Sequence, residues 1–184
     1  AEEQIARSDI VMSVLEIPVP AAARAMELGK KHGVRTLLNP APAAPLPDDA
    51  LRHIDILTPN ESELRILLGL AADDPTPTTE LAQRLKSRGV QTVIVTMGSR
   101  GALILTGDDE IMVPPVPTEV VDTTGAGDAF NSGLAVALSE GRDLVEAVRF
   151  GNCAGSLACT KLGVIPSLAD RATVDALYQQ TYGS

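Results

Sequence analysis

The stretch Asp122-Thr123-Thr124-Gly125-Ala126-Gly127-Asp128-Ala129-Phe130 reads as a strand end, two hydroxyl residues, a small-residue turn and the opening of an apolar helix over Ala126 to Ser139. An acid, Asp128, falls in the first turn of that helix. A junction of this kind presents bare backbone N–H groups at the positive end of a helix dipole, and such groups hold an anion without side chains. A carboxylate beside a bound anion is electrostatically unfavourable. The role that justifies it is to take a proton from a hydroxyl attacking phosphorus. The plainer alternative is an acid that stabilises a helix N-terminus by about 0.3–1 kcal/mol.

Working outward, the chain alternates strand and helix. Strands are predicted at Asp9 to Leu15, Val34 to Leu38, Asp55 to Leu57 and Thr92 to Thr96. Helices are predicted at Pro20 to His32, around Asp48 to His53, at Glu61 to Leu68 and at Thr79 to Arg88. Pro near the start and Gly just past the end mark the first of these helices. Ala102 to Leu105 and Glu110 to Val113 read as strands joined by a turn at Gly107-Asp108-Asp109. Helices follow at Ala126 to Ser139, Asp143 to Thr160 and Ala169 to Tyr182, with Asp143 and Glu146 patterned as a capping box. Repeated strand–helix units with apolar strands imply an α/β fold, a mostly parallel sheet covered by helices. In open sheets of this kind ligands bind outside the carboxyl ends of the strands. Asn39, Asn60, Thr96 and Gly98 fall there, as does the 122–128 run after a later strand.

Composition narrows the function. The chain has 184 residues, 45% hydrophobic and only 2% aromatic, so Ala, Leu, Val and Ile must fill the core. A formal net charge of −9 argues against a general binder of nucleic acid or anionic membrane. No apolar run approaches a membrane span and no signal-peptide pattern opens the sequence, which fits a cytoplasmic setting. Cys153 and Cys159 lie six apart on one predicted helix and point in different directions, so they read as small core residues, neither a disulfide nor a zinc site. His32 and His53 stand alone near helix ends, where they favour the negative dipole end.

Two common phosphate motifs are excluded. The only Gly-Lys pair, Gly29-Lys30, is followed by Lys31 where the Walker pattern needs Ser or Thr, and Phe130 occupies the third small position of a dinucleotide fingerprint. The run Asp122 to Phe130 instead resembles the C-terminal signature of the ribokinase-like (PfkB) carbohydrate kinases. Thr58-Pro59-Asn60-Glu61-Ser62-Glu63 resembles that family's Asn-x-x-Glu segment, and Thr96-Met97-Gly98-Ser99-Arg100-Gly101 its nucleotide-contacting loop. Asn39-Pro40-Ala41-Pro42-Ala43 is similar to the ribokinase branch in particular. These four motifs, in the family's order, span nearly the whole chain.

The resemblance implies a three-layer α/β/α fold around a mostly parallel sheet. Residues 1–184 would form a single α/β domain, the nucleotide-binding and catalytic-base portion of a sugar kinase. It implies that Asp128 takes the proton of the sugar hydroxyl, while amides of Gly125, Ala126 and Gly127 face the charge on the transferring phosphoryl group. ATP would contact Asn60, Thr96, Gly98, Ser99, Gly101 and Gly127, with Asn152 at the adenine. Glu63 would hold Mg²⁺ through water, although Asn60 and Glu63 on residue pattern alone form a capping box. A K⁺ site would use Asp122, Thr124, carbonyls of Ala158, Lys161 and Gly163, and Ser167. Glu16 and Asn39 would face the sugar.

The family's first strands, most of its sugar-binding residues and its β lid have no counterpart in this sequence. The implied reaction of the intact protein is transfer of the ATP γ-phosphate to the 5-hydroxyl of D-ribose, with a homodimer as its assembly. The isolated chain is expected to bind ATP weakly and turn over poorly, because acceptor positioning and water exclusion are lost. The alternatives are a kinase of another sugar or a nucleoside, and a non-catalytic nucleotide-binding module.

Overall fold

Short runs rich in Val, Ile, Leu and Thr form most of the strands, as their side-chain shapes favour. The computed structural model describes residues 1–183. The strands are β1 (Ile10–Val14), β2 (Arg35–Asn39), β3 (Ile56–Leu57), β4 (Thr92–Thr96), β5 (Ala102–Thr106) and β6 (Asp109–Val113), and they make one sheet in chain order. β1 to β4 pair in parallel. β5 and β6 are joined by the two-residue turn Gly107-Asp108, with Gly107 at φ +53°, the left-handed conformation a tight hairpin needs.

Contacts divide the chain into two compact units. One comprises Ala1–Met97 with Leu103–Met112, the other Gly98–Ala102 with residues from Val113 onward. In the first, α2 (Val19–Lys31), α3 (Asp48–Leu51), α4 (Glu61–Leu67) and α5 (Thr78–Ser87) contribute Met26, Leu51, Leu64, Leu81 and Leu85 to a core shared with Val11, Leu38, Leu57, Val93 and Leu103. Leu37, Ile56, Ile94 and Ile104 on the alternate face are equally buried, as parallel strands require. The register of β2 against β3 is fixed at their amino ends. Thr36 Oγ1 donates to the His53 carbonyl at 2.7 Å, Thr36 N donates to Asp55 Oδ2 at 2.9 Å, and Lys30 pairs with Asp55. Three short pieces escaped the sequence pattern, α1 (Glu2–Ile5), the 3₁₀ turn Gly98–Arg100 and a four-residue helix at Val164–Ser167.

The second unit carries α6 (Ala126–Ser139), α7 (Leu144–Ala158), α8 (Val164–Ser167) and α9 (Arg171–Tyr182). The strand expected to end at Asp122 is absent: residues 114–122 form no ladder. Pro114, Pro115 and Pro117 remove three N–H donors in four positions, which no strand tolerates. The box at the start of α7 is half formed: Asp143 accepts from Glu146 N at 2.8 Å, and among the described residues the Glu146 side chain makes no return bond to the Asp143 amide.

α6 and α7 meet backbone to backbone. A Cβ at Gly151 would lie 2.9 Å from the Phe130 carbonyl oxygen, one at Gly155 3.1 Å from the Ala126 oxygen, and one at Gly133 3.0 Å from the Ala154 Cβ. Phe130 thus fills a notch that glycines at i and i+4 cut into α7, and the first turn of α6 rests on Gly155. α9 is held by guanidinium stacking. The Arg142 guanidinium lies 4.5 Å from the Phe150 ring centre and 5.1 Å from that of Tyr178, and Arg171 pairs with Glu140 at the end of α6 at 2.5 Å. Gly151→Leu should therefore cost about 3 kcal/mol or more of stability by overpacking, read by urea unfolding. A loss under about 1 kcal/mol would contradict backbone contact between α6 and α7.

Candidate functional site

In the first unit the polar residues singled out from sequence lie at the carboxyl ends of parallel strands, where such sheets bind ligands. Asn39 ends β2 and is buried, Thr96 ends β4, and Glu16 stands exposed two residues beyond β1. Asn60 and Thr96 are brought together by a single parallel bridge, with Thr96 N donating to the Pro59 carbonyl at 3.0 Å.

Asn60 caps α4, and the box is complete. Its Oδ1 accepts from Glu63 N at 2.9 Å, and Glu63 Oε2 accepts from Asn60 N at 2.8 Å. The helix pattern alone therefore explains why these two residue types stand three apart. One carboxylate oxygen of Glu63, Oε1, takes no part in the box. Burial pushes the Glu63 carboxyl above the ordinary glutamate value, against the opposing bond from Asn60 N. A half-buried carboxylate with one oxygen uncommitted suits a cation held through water.

In the second unit the 122–128 run is folded by its own side chains. Asp122 Oδ1 accepts from Thr124 N at 3.0 Å and from Thr124 Oγ1 at 2.7 Å, and Oδ2 accepts from Gly163 N at 3.1 Å. The Thr124 hydroxyl, then the Thr124 and Gly163 amides, hold the Asp122 carboxyl below the ordinary aspartate value. The Cys159 carbonyl accepts from both Val121 N and Asp122 N, at 2.8 and 3.2 Å. Segments 121–124 and 159–163 are thus clipped together. Ala158 ends α7 just before this second segment, Gly163 closes the segment, Ser167 ends α8 after it, and Lys161 is exposed between them. Ser167 Oγ donates to the Val164 carbonyl at 2.7 Å, which leaves its lone pairs available. A set of carbonyl and hydroxyl oxygens suits a large, weakly hydrated cation. No cluster of three or more His, Cys, Asp or Glu able to hold a metal occurs among the described residues. Burial pushes the Cys153 thiol up to about 12, and Cys159 is raised as well, so both stay protonated.

Gly125 precedes α6 at φ +79°, a left-handed conformation open to glycine. Ala126 N donates to the Thr123 carbonyl at 3.2 Å, so this amide is engaged in the turn. The amides of Gly127 and Asp128 follow within the first turn, where a helix offers no internal acceptor. Both residues are exposed. Gly127 has a helical backbone, and a Cβ built on it would meet nothing within 4 Å. Packing explains Gly133, Gly151 and Gly155, and conformation explains Gly125, but nothing in the fold explains Gly127. Behind it, buried Asn131 donates from Nδ2 to the Gly127 carbonyl at 2.9 Å and braces the turn from inside the helix. Asn131 was not picked out from sequence. A polar side chain four residues after Gly127 on an apolar helix face is the signal that could have found it.

The loop at 98–101 is a 3₁₀ turn in which Gly101 N donates to the Gly98 carbonyl at 3.0 Å. Gly98 and Ser99 are exposed, whereas Gly101 is buried and its Cβ would fall 2.1 Å from the Val113 oxygen. Gly101 is therefore required by the fold whatever else it does. Asn152, on α7, donates from Nδ2 to the Pro114 carbonyl at 3.3 Å.

Residues 4–171 match the pfkB family of carbohydrate kinases. The chain is 42% identical over 171 residues to the bifunctional ribokinase/ribose-5-phosphate isomerase A of Fructilactobacillus sanfranciscensis, covering 92% of this chain and 32% of that protein. It is 38% identical to a ribokinase of Haemophilus influenzae, covering 93% of this chain and 56% of that protein. Among solved structures, Arabidopsis thaliana ribokinase complexed with ribose and ATP superposes with a TM-score of 0.90 at 35% identity, over 97% of this chain and 58% of that one. The chain thus spans about half the length of the ribokinases it matches, and about a third of the bifunctional protein. Its mostly parallel sheet with helices is the ribokinase-like α/β architecture. On the extent of the match and the order of its motifs, this chain belongs to the pfkB family of carbohydrate kinases.

Proposed function

We propose that residues 1–184 are the nucleotide-binding and catalytic-base portion of a kinase that transfers the ATP γ-phosphate to the 5-hydroxyl of D-ribose. The observation that carries this reading is Gly127, a glycine in a helical conformation with empty space around it, at the amide-rich start of α6 and beside Asp128. A glycine that the fold does not need is accounted for by close approach of a ligand to the backbone. Similarity to ribokinases, one of them seen with ribose and ATP, supports the choice of sugar and nucleotide.

In this reading the γ-phosphate lies against the Gly125 and Gly127 amides, and the Ala126 amide joins them when its turn with Thr123 opens. Asp128 takes the proton of the attacking hydroxyl while the amides oppose the charge spreading over the equatorial oxygens. Asn60, Thr96, Gly98, Ser99 and Gly101 serve the nucleotide, Asn152 its base, and Glu16 and Asn39 the sugar. Mg²⁺, when bound, would neutralise phosphate charge, and Glu63 is the residue that would hold it through water. Asp122, Thr124, Ser167 and the carbonyls of Ala158, Lys161 and Gly163 would hold K⁺, whose binding would tighten the 125–128 turn that follows Asp122 and Thr124 in the chain. The reading takes a cytoplasmic setting, consistent with free cysteines, and a homodimer of the full-length protein, which a doubled mass in solution would reveal. The 184-residue chain by itself should turn over weakly, and ribose phosphorylation by it at the rate of an ordinary kinase would contradict this division of labour.

Four substitutions test these assignments. Gly127→Ala should leave stability unchanged or raise it by up to about 1 kcal/mol, yet weaken ATP binding about tenfold or more, by calorimetry. Asp128→Asn in the full-length protein should lower ribose 5-phosphate formation by about 10²–10⁴-fold and leave ATP affinity within about threefold. Unchanged turnover would remove Asp128 from the role. Glu63→Gln keeps an acceptor for Asn60 N, so thermal stability should hold while the Mg²⁺ concentration for half-maximal rate rises about tenfold. An unshifted Mg²⁺ requirement assigns Glu63 to the cap alone. Asp122→Ala should abolish activation by K⁺. A carboxyl held below the ordinary aspartate value stays ionised at every higher pH and loses its charge only on acidification. Activation should therefore be flat from about pH 6 to about pH 9, and a K⁺ effect that titrates in that window would contradict the site.

A further inference from the structure

Within the second unit, segment 159–164 meets segment 121–125 at three points. The Cys159 carbonyl accepts from Val121 N and Asp122 N, and Gly163 N donates to Asp122 Oδ2 at 3.1 Å. The third point is a packing contact. A Cβ built on Gly125 would lie 3.0 Å from Cγ1 and 3.4 Å from Cγ2 of Val164. Both methyl groups of Val164 therefore cover the face of Gly125 that a side chain would occupy. Of the three contacts, this alone reaches the 125–128 run. Val164 opens α8 and is 39% exposed, so its covered part is spent on this contact and not on the core. Gly125, at φ +79° and ψ 0°, has the third-position conformation of a type II turn. Its carbonyl is tied into α6, accepting from Ala129 N at 2.9 Å, while the turn before it is closed by the Ala126 N bond to the Thr123 carbonyl at 3.2 Å. Glycine is the residue freest to leave such a conformation, and a phosphoryl group that draws the Ala126 amide away from Thr123 breaks the bond that closes the turn. The contact with Val164 survives that change.

We propose that Val164 is a positioning residue for the start of α6: its isopropyl group holds Gly125 in the left-handed conformation, so that the Gly125 and Gly127 amides keep their direction when the Ala126 amide turns to the phosphoryl oxygens. This rests on the reading of 125–128 as the phosphoryl-binding turn, and it holds whether or not a cation occupies the neighbouring segment. Amides already in place oppose developing charge without reorganisation, and amides that must first be reoriented do so less well. Removing the two methyl groups therefore acts on the chemical step. Nucleotide binding, which in the same reading draws also on Asn60, Thr96 and the 98–101 loop, is nearly unaffected.

The test is steady-state kinetics on the full-length protein, with backbone hydrogen–deuterium exchange over 123–128 read by mass spectrometry. Val164→Ala should lower kcat about tenfold or more while the KM for ATP stays within about threefold, and exchange over 123–128 should quicken. Val164→Thr keeps both branches at Cβ and should hold kcat within about threefold of the native value. Ile165→Ala, which truncates the neighbouring and far more exposed side chain, should change neither readout. Unchanged kcat and unchanged exchange in Val164→Ala overturn the proposal, and loss of turnover in Asp128→Asn then shows that the underlying reading stands without it. Quickened exchange with unchanged kcat means that the turn needs Val164 but the reaction does not need the turn, which removes the underlying reading and the proposal together. A raised KM for ATP with kcat intact assigns Val164 to binding and contradicts the positioning role. Should Val164→Ala fold poorly, Val164→Leu decides, because it keeps the apolar volume and moves the branch from Cβ to Cγ. Lowered kcat in that variant supports the contact, and native kcat overturns it.

Discussion

The contact on which the second unit depends is that of the α6 backbone with α7. Gly151 and Gly155 remove two side chains from one face of α7, Phe130 fills the space, and the Ala126 carbonyl comes to rest over Gly155. A helix that starts against backbone cannot slide or fray as a solvated one does. Its first-turn amides are then presented in a fixed direction, which is the condition for electrostatic stabilisation without reorganisation. Asn131, bonded to the Gly127 carbonyl, secures the same turn from within. The segment before the helix is tied independently, through Asp122 to Thr124 and Gly163. Two unrelated sets of interactions thus converge on four residues, Gly125 to Asp128.

The first unit uses a different device. Parallel strands end together, and the polar residues at their carboxyl ends are placed by the sheet register, not by a helix contact. The bridge between Asn60 and Thr96 shows this directly, because it joins the cap of α4 to the end of β4. The network of Thr36, Asp55 and Lys30 lies at the opposite ends of the strands and sets the register from there. A substitution in that network would reach the polar rim only by shifting a strand.

Most strands and helices were legible because their signals are local. Apolar runs between Gly and Pro gave β1 to β6, and caps at Asn60 and Asp143 marked the starts of α4 and α7. The strand expected before Asp122 was misread because apolar residues outweighed Pro114, Pro115 and Pro117, although missing donors decide whether a ladder forms. The 122–128 run, Asn60 and Glu63 could be found because turn chemistry and capping leave their mark in consecutive residues. Gly151 and Gly155 could not, since what matters about each is a partner far away along the chain, whereas Asn131 bonds only four residues back and was passed over as a lone polar residue on an apolar face. Gly151-x-x-x-Gly155 was visible as a spacing, but only the position of Phe130 gives the spacing its meaning. The openness around Gly127 is likewise a property of space. In the sequence Gly125 and Gly127 look alike, while in the structure one is explained by its left-handed backbone and the other by nothing in the fold.

The central claim is that Gly127 is glycine because a phosphoryl group must approach its backbone. The most direct measurement is a crystal structure with a non-hydrolysable ATP analogue and Mg²⁺. The account predicts a γ-phosphate oxygen at hydrogen-bonding distance from the Gly127 amide, with the Asp128 carboxylate turned toward the acceptor side of that phosphate. A triphosphate bound elsewhere, with the start of α6 left facing solvent, would contradict it.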